Sequence, residues 1–378
     1  MKRAIIAGVA ALSAASATVL DLKISIRNTY SVVHVNVGTP AVDHALLYDT
    51  GSSTLWLVDS TCTTTNCPNF SGFNRTTYNV SASRTGQEYS SVPGSIDYSG
   101  GYVSGVLASD IAKVSYTSFK QTFAAITYST WSTLPADGFL GLASSSIAFP
   151  NTTSFFENLM NLHLADQPRF GLYPGSGVST VANPSPANNG ILTFGGSREA
   201  EYACGKVKFV DLEVPFQVYK TPLQALTIIN KSGNQTKTYN QTWSGDVVVD
   251  TGSGSIYVPQ DYIEDIYSAT PWTFANISHG YRPLCTDFTD DWSVALTLGF
   301  PGAEQTYTVT GSMLAVPGYV DDEHCFPPFN YWSSQNIIVG ANWLRNFYSV
   351  FDYGSFDPEH YNVRIGFAPL KPEYLPKV

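Results

Sequence analysis

Apolar residues along this chain recur mainly in the short runs and alternations of β-strands. Residues Tyr30–Val37 and 103–114 alternate or run apolar in this way. Three stretches carry helical signals instead. Residues 153–164 place Phe156, Leu159, Met160 and Leu164 on one side, behind Asn151-Thr152-Thr153 as a cap. Residues 259–267 open on Pro259 and are acidic early, as a short helix should be, and 341–347 offer a third. Polar Gly/Ser/Pro/Asn stretches at 174–189 and 230–245 read as loops. The expected class is all-β, mainly strand with a few short helices.

The pattern also repeats. Asp49-Thr50-Gly51-Ser52 returns as Asp250-Thr251-Gly252-Ser253, 201 residues later. An apolar run precedes each copy, Ala45-Leu46-Leu47-Tyr48 and Val247-Val248-Val249. An apolar-aromatic run follows each, Leu55-Trp56-Leu57-Val58 and Ile256-Tyr257-Val258. Phe139-Leu140-Gly141 is answered by Ile338-Val339-Gly340 at a spacing of 199. One D-T-G is a common strand-to-turn tripeptide. Two, each between apolar runs and each followed at matched distance by an apolar-apolar-Gly triplet, mark two copies of one structural unit. The first copy is assigned to 18–200 and the second to 201–378, with the boundary near 195–210.

Composition narrows the function. The 378 residues carry 20 Lys+Arg against 30 Asp+Glu, a net charge of −10, and 43% are hydrophobic. A chain this apolar is not disordered. Its negative balance excludes a duplex nucleic-acid binder, which needs a basic face. Met1-Lys2-Arg3, the apolar run 4–12 and Ala15-Ser16-Ala17 have the grammar of a secretory signal peptide, assigned to 1–17. No later run reaches the roughly 18 apolar residues of a membrane helix, so no membrane anchor is expected. N-x-S/T sequons begin at Asn69, Asn74, Asn79, Asn151, Asn230, Asn234, Asn240 and Asn276 and are expected in surface loops.

In an oxidising compartment the five cysteines should form disulfides. Cys62 and Cys67 flank a polar loop short enough to close locally, and Cys285 and Cys325 could close a longer one. Cys204 is then odd. It is read as a buried thiol in a strand, the alternative being an intermolecular bridge. Six scattered His with no paired spacing and no C-x-x-C give no metal site. No cofactor is expected.

Two aspartates on duplicated turns can face one another across a pseudo-twofold axis. Close together they cannot both ionise cheaply, so one pKa rises and the other falls. One then holds a proton while the other is a base, a pair able to activate water and protonate a carbonyl oxygen. Ser52 and Ser253 stand where their hydroxyls could donate to the outer carboxylate oxygens. Gly51 and Gly252 let the backbone approach closely.

At this point the sequence resembles the pepsin family of aspartic proteases, from about Ile24 to Pro369. The resemblance is carried by residues 44–56 around Asp49-Thr50-Gly51-Ser52, by Asp137-Gly138-Phe139-Leu140-Gly141-Leu142-Ala143, by Val249-Asp250-Thr251-Gly252-Ser253, and by Ile337-Ile338-Val339-Gly340. It implies a bilobal β-fold of two related barrel-like lobes with the active-site cleft between them. Asp49 and Asp250 become the dyad, and the disulfides become Cys62–Cys67 and Cys285–Cys325. The family's β-hairpin flap maps to Ile96-Asp97-Tyr98-Ser99-Gly100-Gly101, with Tyr98 closing over substrate. Trp56 would support Tyr98 through its indole N–H, and Leu47, Trp131 and Phe139 would line an apolar subsite. The resemblance implies protein or peptide substrates, acid pH and a monomer, and an apolar cleft predicts hydrophobic residues around the cut. Secretion rests on the signal peptide and sequons, with an acidic vacuole or lysosome as the alternative destination.

Three departures stand out. The flap reads Tyr98-Ser99-Gly100-Gly101 where the family usually has Tyr-Gly-Thr-Gly. Ala341 follows Gly340 where many members have Asp. Only Lys23 and Arg27 are basic between residue 17 and Asp49, so the family's basic prosegment is not recognisable; either none is made or the gene model is truncated. The alternative reading is a pepsin-like binding protein that has lost catalysis. Such a protein would be expected to lose an Asp or Gly of the turns, and both turns are intact. A serine hydrolase fails for want of a G-x-S-x-G elbow, and a dinucleotide enzyme for want of G-x-G-x-x-G in a βαβ unit.

Overall fold

A computed structural model describes residues 18–231, 236–243, 245–318 and 320–376. The proposed signal peptide and the sequon at Asn234 lie outside them. The described chain is mainly strand, as the apolar pattern predicts, in a thirteen-stranded and an eight-stranded sheet.

Six strands of the larger sheet join the two halves. In spatial order they are Lys208–Asp211, Arg364–Pro369, Phe347–Asp352, Arg169–Tyr173, Ile191–Phe194 and Leu20–Arg27, all antiparallel. The first three come from the second half of the sequence and the last three from the first. The halves meet where Phe351 pairs with Phe170 and Asp352 with Arg169. Phe170 is fully buried there. Its ring stacks on Phe351 at 4.5 Å and meets Phe156, Phe194 and Tyr219 edge-on. Asp352, also buried, accepts ion-paired bonds from Arg169 at 3.1 Å and Arg364 at 2.9 Å.

Each half builds its aspartate turn the same way. In the first, Val42–Asp49 runs parallel to Gly138–Gly141, with Leu46 opposite Gly138 and Asp49 opposite Gly141. Leu55–Val58 returns antiparallel on the other side, with Trp56 opposite Phe139. In the second, Asp246–Val249 runs parallel to Ile337–Val339, and Ile256–Pro259 returns with Tyr257 opposite Ile338. The registers match residue for residue under the sequence repeat. A third strand threaded between the two arms of each turn leaves the aspartate at the strand end with no freedom to swing.

Several expectations are corrected. The helix read at 153–164 is Phe155–Asn161, capped by Ser154 without a side-chain bond, and it stops before His163, whose φ is 56°. Residues 259–267 form a 3₁₀ turn, Gln260–Tyr262, running into the helix Ile263–Ser268. The helix read at 341–347 is only Ala341–Leu344, because Phe347 already pairs in the interlobe sheet. The loop 230–245 contains the strand Lys237–Thr242, which pairs with Lys220–Asn230. It is a polar edge strand held by backbone bonds, so apolar periodicity could not reveal it. Cys204 is exposed rather than buried, in the turn after the helix Glu199–Tyr202. Asn230 is 4% exposed inside a strand, unlike a surface sequon. The disulfides Cys62–Cys67 and Cys285–Cys325 are both formed.

Truncating the ring at the seam should cost what a buried aromatic costs. Phe170→Ala should lower unfolding free energy in urea by about 3–5 kcal/mol; a loss under about 1 kcal/mol would contradict the packing described.

Candidate active site

The duplicated turns meet at the seam of the two halves. Thr50 N–H donates to Thr251 Oγ1 at 3.0 Å, and Thr251 N–H donates to Thr50 Oγ1 at 3.0 Å. Thr50 Oγ1 then donates to Val249 O at 2.8 Å and Thr251 Oγ1 to Tyr48 O at 2.9 Å. Each hydroxyl thus accepts from one turn and donates to the strand behind it. Thr50 is fully buried, so breaking one bond strands a desolvated partner.

This lock brings the acids together. Gly51 N–H donates to Asp49 Oδ1 and Gly252 N–H to Asp250 Oδ1, each at 2.8 Å. Ser52 Oγ donates to Asp49 Oδ2, and Ser253 Oγ donates to Asp250 Oδ2 at 2.7 Å. The serines therefore do hold the outer oxygens. A Cβ on Gly51 would stand 2.6 Å from the Asp250 carboxyl carbon, and one on Gly252 the same distance from Asp49 Oδ1. Only glycine admits the opposite carboxylate so closely. Burial, then the charge of Asp250 in hydrogen-bond contact, holds the Asp49 carboxyl well above the usual carboxylate range.

The acids open onto a cleft of about 910 Å³. Its roof is the hairpin of Gln87–Tyr98 and Gly101–Val114, closed by the two-residue turn Ser99-Gly100. Tyr98 lies beneath that turn. Its Oη accepts from Trp56 Nε1 at 2.9 Å, and its ring packs at 5.3 Å from Phe139 and 5.0 Å from Trp131. Leu47, Trp131 and Phe139 line the cleft, as do Tyr98, Ser99 and Gly100. Trp56 does not line it: it is 1% exposed and stacks behind Phe139 at 4.9 Å.

Trp131 has a second task that the sequence did not reveal. Its Nε1 donates to Gly100 O at 2.6 Å, tying the flap tip down. A Cβ on Gly101 would come within 2.2 Å of that nitrogen, which is why glycine follows the tip. The wall supplied by the second half was also missed, including Tyr257, Ile338, Leu314 and Val316. The repeat itself could have found two of these, since Tyr257 and Ile338 occupy the positions that Trp56 and Phe139 hold in the first copy.

A two-lobed β-fold with paired Asp-Thr-Gly-Ser turns at the floor of a roofed cleft defines the aspartic-type endopeptidase class. The sequence model of the eukaryotic aspartyl protease family matches residues 30–370, and the chain belongs to that family. Similar proteins include major aspartyl peptidase 1 of Cryptococcus neoformans var. grubii, 28% identical over 89% of this chain and 68% of its own. Cathepsin E of Aquarana catesbeiana is 27% identical over 89% of this chain and 78% of its own. Pepsin A of Suncus murinus is 25% identical over 89% and 80%.

Two expectations follow. Trp131→Phe keeps the stacked ring but loses the bond to Gly100, so amide exchange at 98–102 should quicken by about 2–10-fold; unchanged exchange would mean the tie does not hold the flap. Asp49 keeps its proton in the folded state to higher pH than in the unfolded chain, where it titrates near about 4. Its stabilising contribution is therefore full below about 4 and is lost as pH rises through the folded value. Asn cannot ionise, so the melting temperature of Asp49→Asn should gain on wild type between about pH 4 and pH 7. A pH-independent difference would contradict the raised pKa.

Proposed function

We propose that this protein is a secreted, acid-acting endopeptidase that cleaves proteins between bulky hydrophobic residues. The observation that carries this is the contact of Asp49 and Asp250, each held by the same two bonds from its own Gly and Ser, on the floor of a roofed apolar cleft. The two carboxyl groups share one proton. Asp49, 4% exposed, is the deeper of the two and holds it at rest. The Asp250 carboxylate takes a proton from a water that attacks the scissile carbonyl, while Asp49 delivers its own to the carbonyl oxygen. The C–N bond of the resulting diol then breaks as its nitrogen is protonated from Asp250, and the proton on the dyad is restored from the second hydroxyl. Closure of Tyr98 and the flap excludes water and orients the peptide.

Apolar walls at Leu47, Trp131, Phe139, Tyr257, Ile338 and Leu314 support the preference for hydrophobic residues. A shared proton supports work in acid, since the rate must fall as pH rises and Asp49 ionises. Two disulfides and exposed sequon asparagines at 74, 79, 151, 240 and 276 support a secretory route. No described helix is long and apolar enough to cross a membrane.

Incubation with an unfolded protein at acid pH, followed by mass-spectrometric mapping of the cuts, tests the reading. Cleavage should be blocked by a statine-containing peptide, and Asp49→Asn should lower kcat by on the order of 10²–10⁴-fold. No inhibitor-sensitive cleavage from about pH 2 to 7 would leave the silent binding protein as the better account.

A further inference from the structure

The cleft contains a cation with no anion. Arg345 directly follows the helix Ala341–Leu344 and lines the cleft from the second half, on the wall that also carries Leu314 and Ala341. Its Nη2 is sealed from solvent and has no acceptor among the described residues. Burial alone acts on the guanidinium, and pushes its pKa down to about 10; no neighbouring charge raises it again. Arg345 is also not among the groups that act on Asp49, which burial, Asp250 and bonds from Ser52 and Gly51 govern.

The other partly covered arginines have acceptors for their guanidinium groups, although Arg75 and Arg169 also each leave a buried Nε unbonded. Arg169 and Arg364 share Asp352, Arg198 reaches Asp21 at 2.6 Å, and Arg75 donates to the carbonyls of Cys67 and Pro68. The Arg345 side chain as a whole is half-buried, and a desolvated Nη2 without an acceptor costs stability. The planar fork matches a carboxylate better than any other common group. The carboxyl groups lining the cleft are those of Asp49, Asp97 and Asp250, and among the described lining residues Arg345 is the one base.

We propose that Arg345 forms a carboxylate-binding subsite of the cleft, which takes an acidic side chain or the C-terminal carboxylate of a bound peptide. The proposal rests on the endopeptidase reading for the peptide nature of the ligand. It adds one charged position to a specificity that is otherwise hydrophobic. A guanidinium lowers the pKa of a carboxylate docked on it, so the subsite keeps its ligand ionised at a lower pH than the free peptide would.

The test is binding of non-cleavable statine-containing peptides to the full chain, by displacement of a fluorescent statine peptide at about pH 5, where free carboxylates are ionised. One series carries Glu or Gln at each position flanking the statine; a second has a free-acid or amidated C-terminus. At one position Glu should bind about ten-fold more tightly than Gln, or the acid more tightly than the amide, and the responding series identifies the carboxylate. Arg345→Met should abolish that difference without weakening the neutral peptide, while Arg345→Lys retains part of it. Equal binding across both series in wild type, or a preference that survives Arg345→Met, overturns the proposal. Cleavage of a neutral hydrophobic peptide by wild type is read separately. Cleavage without a charge preference sinks the subsite alone, and a charge preference without cleavage sinks the hydrolase reading alone.

Discussion

The site depends on four hydrogen bonds between two threonines and the strands behind them. Each threonine amide finds the other's hydroxyl, and each hydroxyl finds the carbonyl that precedes the opposite aspartate. Every bond in this set joins one half to the other. The position of Asp49 relative to Asp250 is therefore fixed by the folding of both halves, and neither carboxyl can relax from its neighbour without breaking a buried bond. The interlobe sheet, with Phe170 stacked on Phe351, performs the same service at larger scale. It prevents a rigid-body slip of one half from being transmitted to the acids.

Forced proximity is what gives the carboxyls their chemistry. Isolated in water, both would ionise near the same pH and neither would hold a proton in reserve. Placed in contact on the floor of a cleft roofed by the Tyr98 hairpin, they are costly to ionise together, and Asp49, which is buried, is held protonated to higher pH. The serine and glycine donors act against this on Asp49, stabilising its charged form. They moderate the rise that burial and Asp250 impose on Asp49 without reversing it.

Most of this was legible in the sequence because it is written twice. The repeat located both aspartates, their glycines and serines, and the parallel strand beside each, and the observed registers agree. The resemblance to pepsin-like proteases singled out Tyr98 and Trp56, which a 2.9 Å bond joins. What escaped has physical reasons. The edge strand Lys237–Thr242 is held by backbone groups that every sequence possesses. Cys204 was judged from the habits of free thiols, although its burial is set by where the chain turns after Tyr202. The tie from Trp131 to Gly100 depends on a meeting of residues 31 apart with no periodic signature. Arg345 lies inside the stretch 341–347, which the sequence reads only as a helix, and a missing partner leaves no trace in a one-dimensional pattern.

The two copies have been kept alike where chemistry demands it and have diverged where it does not. At the aspartates, donors and distances agree between the halves within a few tenths of an ångström. Seven residues on, the copies part. Trp56 is buried and its indole serves the flap, whereas its counterpart Tyr257 reaches the cleft directly. The hairpin roof belongs to the first half and the unpaired arginine to the second. A peptide lying across a twofold frame would otherwise meet the same surface in either direction. Roof on one side and cation on the other remove that ambiguity, so the symmetric floor can act on a chain that has only one direction.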